Sequence, residues 1–250
     1  MKGSRYKIIL DYDGMYFHGW QVQNQERTVQ GVIEEALSKI YQAKISVTGC
    51  GRTDAGVHAR NYLAHVDLPE MTEIDLVYKL NRMLGEDIAI RELIPVSGDF
   101  HARFSARYRQ YRYCINGQKM AIGRQYSWYC PDLTSLDRPS IEKTIAIIRQ
   151  AQAFLPFCKT GSDAKTMSCD ILHAKWIDRE NDKAMFEIRA NRFLRGMVRL
   201  IVGALVLAGR GHLTPEQVQV ALDNQQMLPK SYSAPAQGLV LEQVSYKSSM

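Results

Sequence analysis

Cysteine is sparse in this 250-residue chain: five residues, at 50, 114, 130, 158 and 169, with no C-x-x-C pair. An odd, scattered set excludes a disulfide framework and a zinc site built from neighbouring ligands. Six histidines are equally dispersed, and none stands at a metal-ligand spacing from another. No metal and no disulfide partner are therefore expected. Long hydrophobic runs are missing too. The longest spans Leu200 to Ala208, between Arg199 and Arg210, whereas a membrane-spanning helix needs about 20 such residues. Near the start, Ile8-Ile9-Leu10 is too short for the core of a signal peptide. Tandem repeats and low-complexity tracts are also lacking. These absences point to a cytoplasmic protein in a reducing compartment, with no membrane partner.

What is present is an ordinary globular composition, 46% hydrophobic and 23% charged, with a basic balance. The net charge of +6 and pI near 9.0 favour anionic partners, nucleic acid above all. A basic enzyme with no polyanion partner has the same charge, so charge alone does not decide.

Periodicity orders the first half. A strand from Lys7 to Tyr12 ends at the turn signal Asp13-Gly14. Thr28 caps an amphipathic helix whose apolar residues are Val29, Val32, Ile33, Ala36, Leu37 and Ile40. Strands follow at about 45–50 and 61–67, then a helix from about Ile74 to Leu84 and a strand from about Ile88 to Val96. This is the split βαβ order of a ferredoxin-like unit. The second half reads similarly, with strands at about 107–115, 168–178 and 184–190. Its helices begin near Ser140, at 193–208 and at Thr214-Pro215, and the last strand covers Leu239 to Tyr246. The expected fold is α+β, with two ferredoxin-like halves, 1–105 and 106–250, and antiparallel sheets joined in one extended sheet. Helices would pack on one side, with a basic active-site cleft between the halves.

Three segments carry candidate chemistry. Gly51-Arg52-Thr53-Asp54-Ala55-Gly56-Val57-His58-Ala59 sets a carboxylate between glycines, beside an arginine and near a histidine, in a loop between two strands. Rigidly framed loops are where catalytic groups tend to sit. The plain alternative is a glycine-rich hairpin in which Asp54 caps its own turn. Along the strand at 107–115, Arg107, Arg109, Tyr111 and Tyr113 share one face. Such a face suits RNA, with rings on bases and guanidinium groups on phosphates, and it equally suits a solvated edge strand. Near the start of the helix expected at 193–208, Arg192, Arg195 and Arg199 stand at i, i+3 and i+7, on one face. There they oppose the macrodipole and call for an anionic partner.

The nine-residue string around Asp54 resembles the signature of the tRNA pseudouridine synthase A family. Further resemblances lie in Tyr12-Asp13-Gly14, Phe17 and Gly19-Trp20-Gln21 with Gln23, and in Phe100-His101-Ala102-Arg103-Phe104-Ser105-Ala106 with the Tyr-Arg-Tyr run after it. Ala190 to Arg199 and Ala234-Pro235-Ala236 with Gly238-Leu239 complete the set. They keep the family's order over nearly the whole chain. The sequence departs from the family pattern at Gly85, Gln152-Ala153 and Cys169, away from the chemical residues.

The resemblance implies conversion of uridine to pseudouridine at positions 38, 39 and 40 in the tRNA anticodon stem-loop, by a homodimer. It implies Asp54 as nucleophile, Tyr111 against the uracil as a proton acceptor, and Arg199 paired with Asp54. Isomerisation needs no oxidant and no external group, so no cofactor is expected. Arg52, Thr53, His58, Arg107, Arg109, Arg192 and Arg195 are the candidate substrate contacts. Three rival readings fit parts of the sequence: a non-catalytic RNA-binding module, a metal-dependent nuclease or phosphotransferase, and a glycosidase. The second wants clustered carboxylates and the third a second catalytic carboxylate, and neither is visible near Asp54.

Overall fold

Ile8, Leu10 and Tyr12 alternate into the core along the first strand, β1 (Ser4–Tyr12), as a period of two requires. The structure is a computed structural model that describes residues 4–69, 75–161 and 164–246. By its internal contacts the chain divides between Arg107 and Tyr108, and again between Leu239 and Val240. The terminal strand therefore counts with the first unit, where the sequence division at 105/106 placed it in the second half.

The first unit continues with α1 (Val29–Tyr41), β2 (Val47–Gly49), β3 (His58–Leu68), α2 (Leu76–Met83) and β4 (Ile88–Pro95). The Thr28 side chain caps α1 by accepting from the Gly31 N–H, and Asp75 caps α2 by accepting from the Tyr78 N–H. Ile74, where the second helix was expected to begin, lies outside the described residues. Strand β1 pairs antiparallel with β4 on one side and β3 on the other, and β2 pairs antiparallel with the far end of β3. The order β4-β1-β3-β2 is that of a ferredoxin-like unit. Next in chain order come β5 (Ala106–Asn116), β6 (Trp128–Tyr129) and α3 (Arg138–Gln150), then β7 (Ile171–Arg179) and β8 (Lys183–Ala190). Two more helices, α4 (Met197–Gly209) and α5 (Pro215–Asp223), precede β9 (Leu239–Tyr246). Within the first unit, β9 lies parallel to the start of β3, pairing Val240 with His58 and Leu241 with Ala59. Tyr246 secures this strand by donating its hydroxyl to the Ala102 carbonyl at 2.7 Å.

In the second unit, β5 pairs antiparallel with β8, and β8 with β7, through a turn whose Asn181 and Asp182 take left-handed φ of 60° and 52°. The short β6 lies parallel to β5, so two of the pairings in the molecule are parallel where antiparallel sheets were expected. Helix α4 is buried at every position except Arg199, which accounts for the apolar run at 200–208. Among the described residues no helix is long and apolar enough to cross a membrane.

One element starts later than its pattern predicts. The helix expected from residue 193 begins at Met197, because Gly196 turns left-handed at φ 69° and the Met197 N–H returns to the Leu194 carbonyl. Arg192 and Arg195 therefore lie in the turn ahead of α4, and only Arg199 is on the helix. The expected arginine face does not exist.

Candidate active site

Asp54 stands at the first corner of a turn between β2 and β3. The Val57 N–H closes that turn on the Asp54 carbonyl at 3.2 Å, with Gly56 at φ 77° in the position that needs a left-handed residue. Arg52 is exposed, Thr53 buried and Asp54 half-buried. The string read as a loop with a carboxylate at its tip is such a loop.

Segment 12–20 holds it from the side. The Trp20 N–H donates to the Thr53 carbonyl at 3.3 Å, and the Gly56 N–H donates to the Phe17 carbonyl at 3.2 Å. Gly19, at φ 84°, comes so close that a Cβ there would sit 2.3 Å from the Thr53 oxygen. Three aromatic rings support the loop from within the core. Trp20 stacks on Tyr62 with centroids 4.1 Å apart, and Tyr12 lies tilted against Tyr62 at 5.5 Å. Two of their hydroxyls reach the loop: Tyr12 to Thr53 Oγ1 at 2.9 Å, and Tyr62 to the Gly51 carbonyl. Aromatic pairs contribute about 0.5–1.5 kcal/mol beyond their burial, so this cluster is a stiff base for the loop.

His58, a candidate substrate contact, is 4% exposed. Its Nδ1 lies 2.9 Å from Asp13 Oδ1 and 3.1 Å from the Gly14 N–H that donates to it. These contacts make it a tie between β3 and the 13–14 turn. Thr53 is likewise turned inward to Tyr12. Sequence reasoning gave no role to Tyr12, Trp20 or Tyr62. Their signal was the opening motif, in which Tyr12 precedes the Asp13-Gly14 turn and Trp20 follows Gly19.

The remaining candidates sit apart from these in sequence, Arg107 at the end of the first unit and the others in the second. Arg107 is exposed. Tyr111 is half-buried, with its ring edge-on to Phe193 at 5.1 Å and 88°. The Arg109 guanidinium donates to the Asn191 carbonyl at 3.0 Å, and Asn191 is fixed in turn by Asp170, its side-chain amide donating to Asp170 Oδ2 at 2.6 Å. Arg195 is exposed and donates to the Gly161 carbonyl at 3.2 Å, while Arg192 is half-buried. Arg199 Nε donates to the Ala234 carbonyl at 2.7 Å, and the Ala234 N–H returns to the Arg199 carbonyl at 3.0 Å. That reciprocal pair fixes the guanidinium plane at the first turn of α4. Tyr113 leaves the expected Arg/Tyr face: it is fully buried and donates to the Pro235 carbonyl at 2.7 Å. Burial raises its phenol well above the usual tyrosine range.

Comparison with known proteins agrees with these motifs. The family profile described as tRNA pseudouridine synthase matches residues 8–105 and 151–247. A tRNA pseudouridine synthase A of Parabacteroides distasonis is 40% identical over 245 residues, covering 97% of this chain and 96% of the relative. The chain belongs to the tRNA pseudouridine synthase A family. Relatives with that name from Bacteroides thetaiotaomicron (39% identical, 97% of this chain and 91% of the relative) and a Thermotoga species (36%, 97% and 100%) extend the match. The protein is accordingly a tRNA-modifying isomerase, with the α+β fold of its family. Two of the departures from the family pattern meet in the second unit, where the buried Cys169 donates its N–H to the Gln152 carbonyl at 3.0 Å. Burial pushes the Cys169 thiol up to about 11, so this residue is an inert core group.

Proposed function

We propose that this synthase isomerises uridines 38, 39 and 40 in the anticodon stem-loop of tRNA, with Asp54 as its nucleophile. The observation that carries the proposal is the Asp54 turn: a half-exposed carboxylate on a loop anchored at Gly51, Thr53 and Gly56. Isomerisation breaks the N1–C1′ bond, turns the uracil and rejoins it through C5. Asp54 attacks the sugar or assists departure of the base. Arg199 pairs with Asp54 and orients its carboxylate towards the sugar. Tyr111 stacks on the freed uracil. Its phenolic oxygen takes the C5 proton while passing its own to solvent, as the uracil N1 takes a proton up, so the product is an isomer of the substrate.

Because the glycosidic bond is enclosed in a stacked stem, the nucleotide flips out, at a cost of a few kcal/mol. Arg52, exposed beside Asp54, fills the gap or holds the flipped phosphate. Arg107, Arg109, Arg192 and Arg195 contact the RNA backbone. His58 and Thr53 serve by holding the loop. The enzyme works as a cytoplasmic homodimer without a cofactor. The test is Asp54→Asn, incubated with unmodified tRNA transcript whose pseudouridines are then mapped. The amide keeps the shape and cannot attack, so isomerisation disappears while tRNA affinity stays within a few-fold. Turnover above a trace would remove Asp54 as nucleophile, and modification outside 38–40 would remove the assigned positions.

A further inference from the structure

Phe104 is 75% exposed, more than any other aromatic side chain among the described residues. Single exposed apolar side chains are common and need no explanation. This one differs in how firmly it is held. It ends the turn Phe100-His101-Ala102-Arg103-Phe104, whose middle peptide is fixed from two sides. The Ala102 N–H donates to His65 Nδ1 at 3.1 Å, and the Ala102 carbonyl accepts from the Tyr246 hydroxyl at 2.7 Å. His101 closes the turn. Its Nδ1 faces the N–H groups of Arg103 and Phe104 at 3.2 and 3.3 Å, and its carbonyl accepts from the Ser105 N–H at 2.9 Å. The His101 ring then lies 4.4 Å from the Phe104 ring, and the Arg103 guanidinium lies 5.5 Å from it.

On a backbone fixed in this way the ring is presented at a set place on the surface. Less has to be ordered on binding than for a ring on a free loop, while most of its surface is still in water. We propose that Phe104 is a stacking platform for an unpaired base of the substrate RNA, with Arg103 alongside to meet a phosphate. Charge favours RNA over a protein partner, since residues 100–116 contain four arginines and no carboxylate. Any base supplies a ring face, so the platform adds affinity without reading sequence. The site rests on the reading of tRNA as substrate and adds a contact distinct from Asp54, Tyr111 and Arg199.

The experiment uses unmodified tRNA transcript with Phe104→Ala, Phe104→Leu and Phe104→Trp. Stacking of one base is worth about 1–3 kcal/mol, so Phe104→Ala weakens binding roughly 5- to 150-fold. The slope of log K against log salt stays unchanged, because no charge is lost. Phe104→Leu, apolar but without a ring, shows most of the same loss. Phe104→Trp binds at least as well as wild type, and its emission is quenched as tRNA is added. The native Trp20, Trp128 and Trp176 are all buried and supply a steady background. Unchanged affinity of Phe104→Ala, or an unquenched Trp signal in a variant that binds, overturns the platform. So does a changed oligomeric mass of Phe104→Ala by light scattering, which would make the ring a contact between copies. Quenching by transcript that wild type binds but does not isomerise would overturn the proposed reaction and leave the platform standing.

Discussion

The hydroxyls of Tyr12 and Thr53 lie 2.9 Å apart, both residues buried, one position from Asp54. Tyr12 ends β1 and Thr53 belongs to the loop after β2, so the bond ties the Asp54 loop to the centre of the first sheet. Tyr12→Phe keeps the ring and strands the Thr53 hydroxyl. The expected cost is about 1–3 kcal/mol, or about 2–4 °C of Tm per kcal/mol for a chain of this size. If the bond positions Asp54, the single-turnover rate falls roughly tenfold, since small misplacements of a reacting group are expensive, while tRNA affinity stays within twofold. The double variant Tyr12→Phe/Thr53→Val should then be no slower than either single variant. Additive losses in rate would show that the two hydroxyls act separately.

His65 gives the fold an acid-sensitive point. It is 6% exposed, and its imidazole is pushed down to about 4, first by burial, then by Arg5 and His101, with Asp67 opposing. A histidine depressed in the folded state is protonated more readily in the unfolded chain. Its contribution is therefore full above pH 6.5 and is lost as pH falls from 6.5 towards 4. The loss is at most of the order of 3 kcal/mol. Urea unfolding at pH 7 and pH 5 should show a larger drop for wild type than for His65→Asn, whose side-chain oxygen still accepts from Ala102. Equal drops would remove His65 as the source.

Strong local signals are readable in the sequence of both units. In the first, Thr28 caps a helix where expected and the alternation of Ile8, Leu10 and Tyr12 marks a strand; in the second, Thr214-Pro215 starts a helix where expected. What escaped depends on contacts distant in sequence. Phe193, Leu194 and Met197 continue a helical spacing, yet Gly196 turns left-handed and the helix waits until Met197. Alternation puts Tyr113 on the face of Arg107 and Arg109, but only packing against residues 235–238 sends it into the core. His58 has the look of a substrate contact beside the Asp54 loop, and its partner Asp13 lies 45 residues earlier. The Asp54 loop itself was legible because its glycines and carboxylate are contiguous. Its aromatic support was not, because Tyr12 and Trp20 come from one segment and Tyr62 from a later strand.

Activity should survive dialysis against EDTA. Among the described residues, no three histidine, cysteine, aspartate or glutamate side chains gather as a metal would need. The measurement is pseudouridine formation on pre-folded tRNA, with zinc or magnesium added back separately. Activity lost to EDTA and restored by zinc alone would contradict the reading, whereas rescue by magnesium would reflect the fold of the RNA.

Arg195 and Arg199 are four residues apart and should fail in different ways. Arg195 lies exposed in the turn before α4, its guanidinium on the Gly161 carbonyl, where it can meet a phosphate. Each phosphate neutralised contributes about −0.7 to −0.9 to the slope of log K against log salt. Arg195→Ala should therefore weaken tRNA binding at low salt and flatten that slope by close to one unit, and Arg109→Ala should do the same. Arg199 is held on the helix by the Ala234 carbonyl, and its proposed partner is Asp54. Arg199→Ala should slow the chemical step with little change in slope. Stability has to be measured alongside, because Arg199→Ala also removes the bond to the Ala234 carbonyl. A folded Arg199→Ala that loses affinity as Arg195→Ala does, yet keeps its single-turnover rate, would detach Arg199 from Asp54 and assign it to the phosphates.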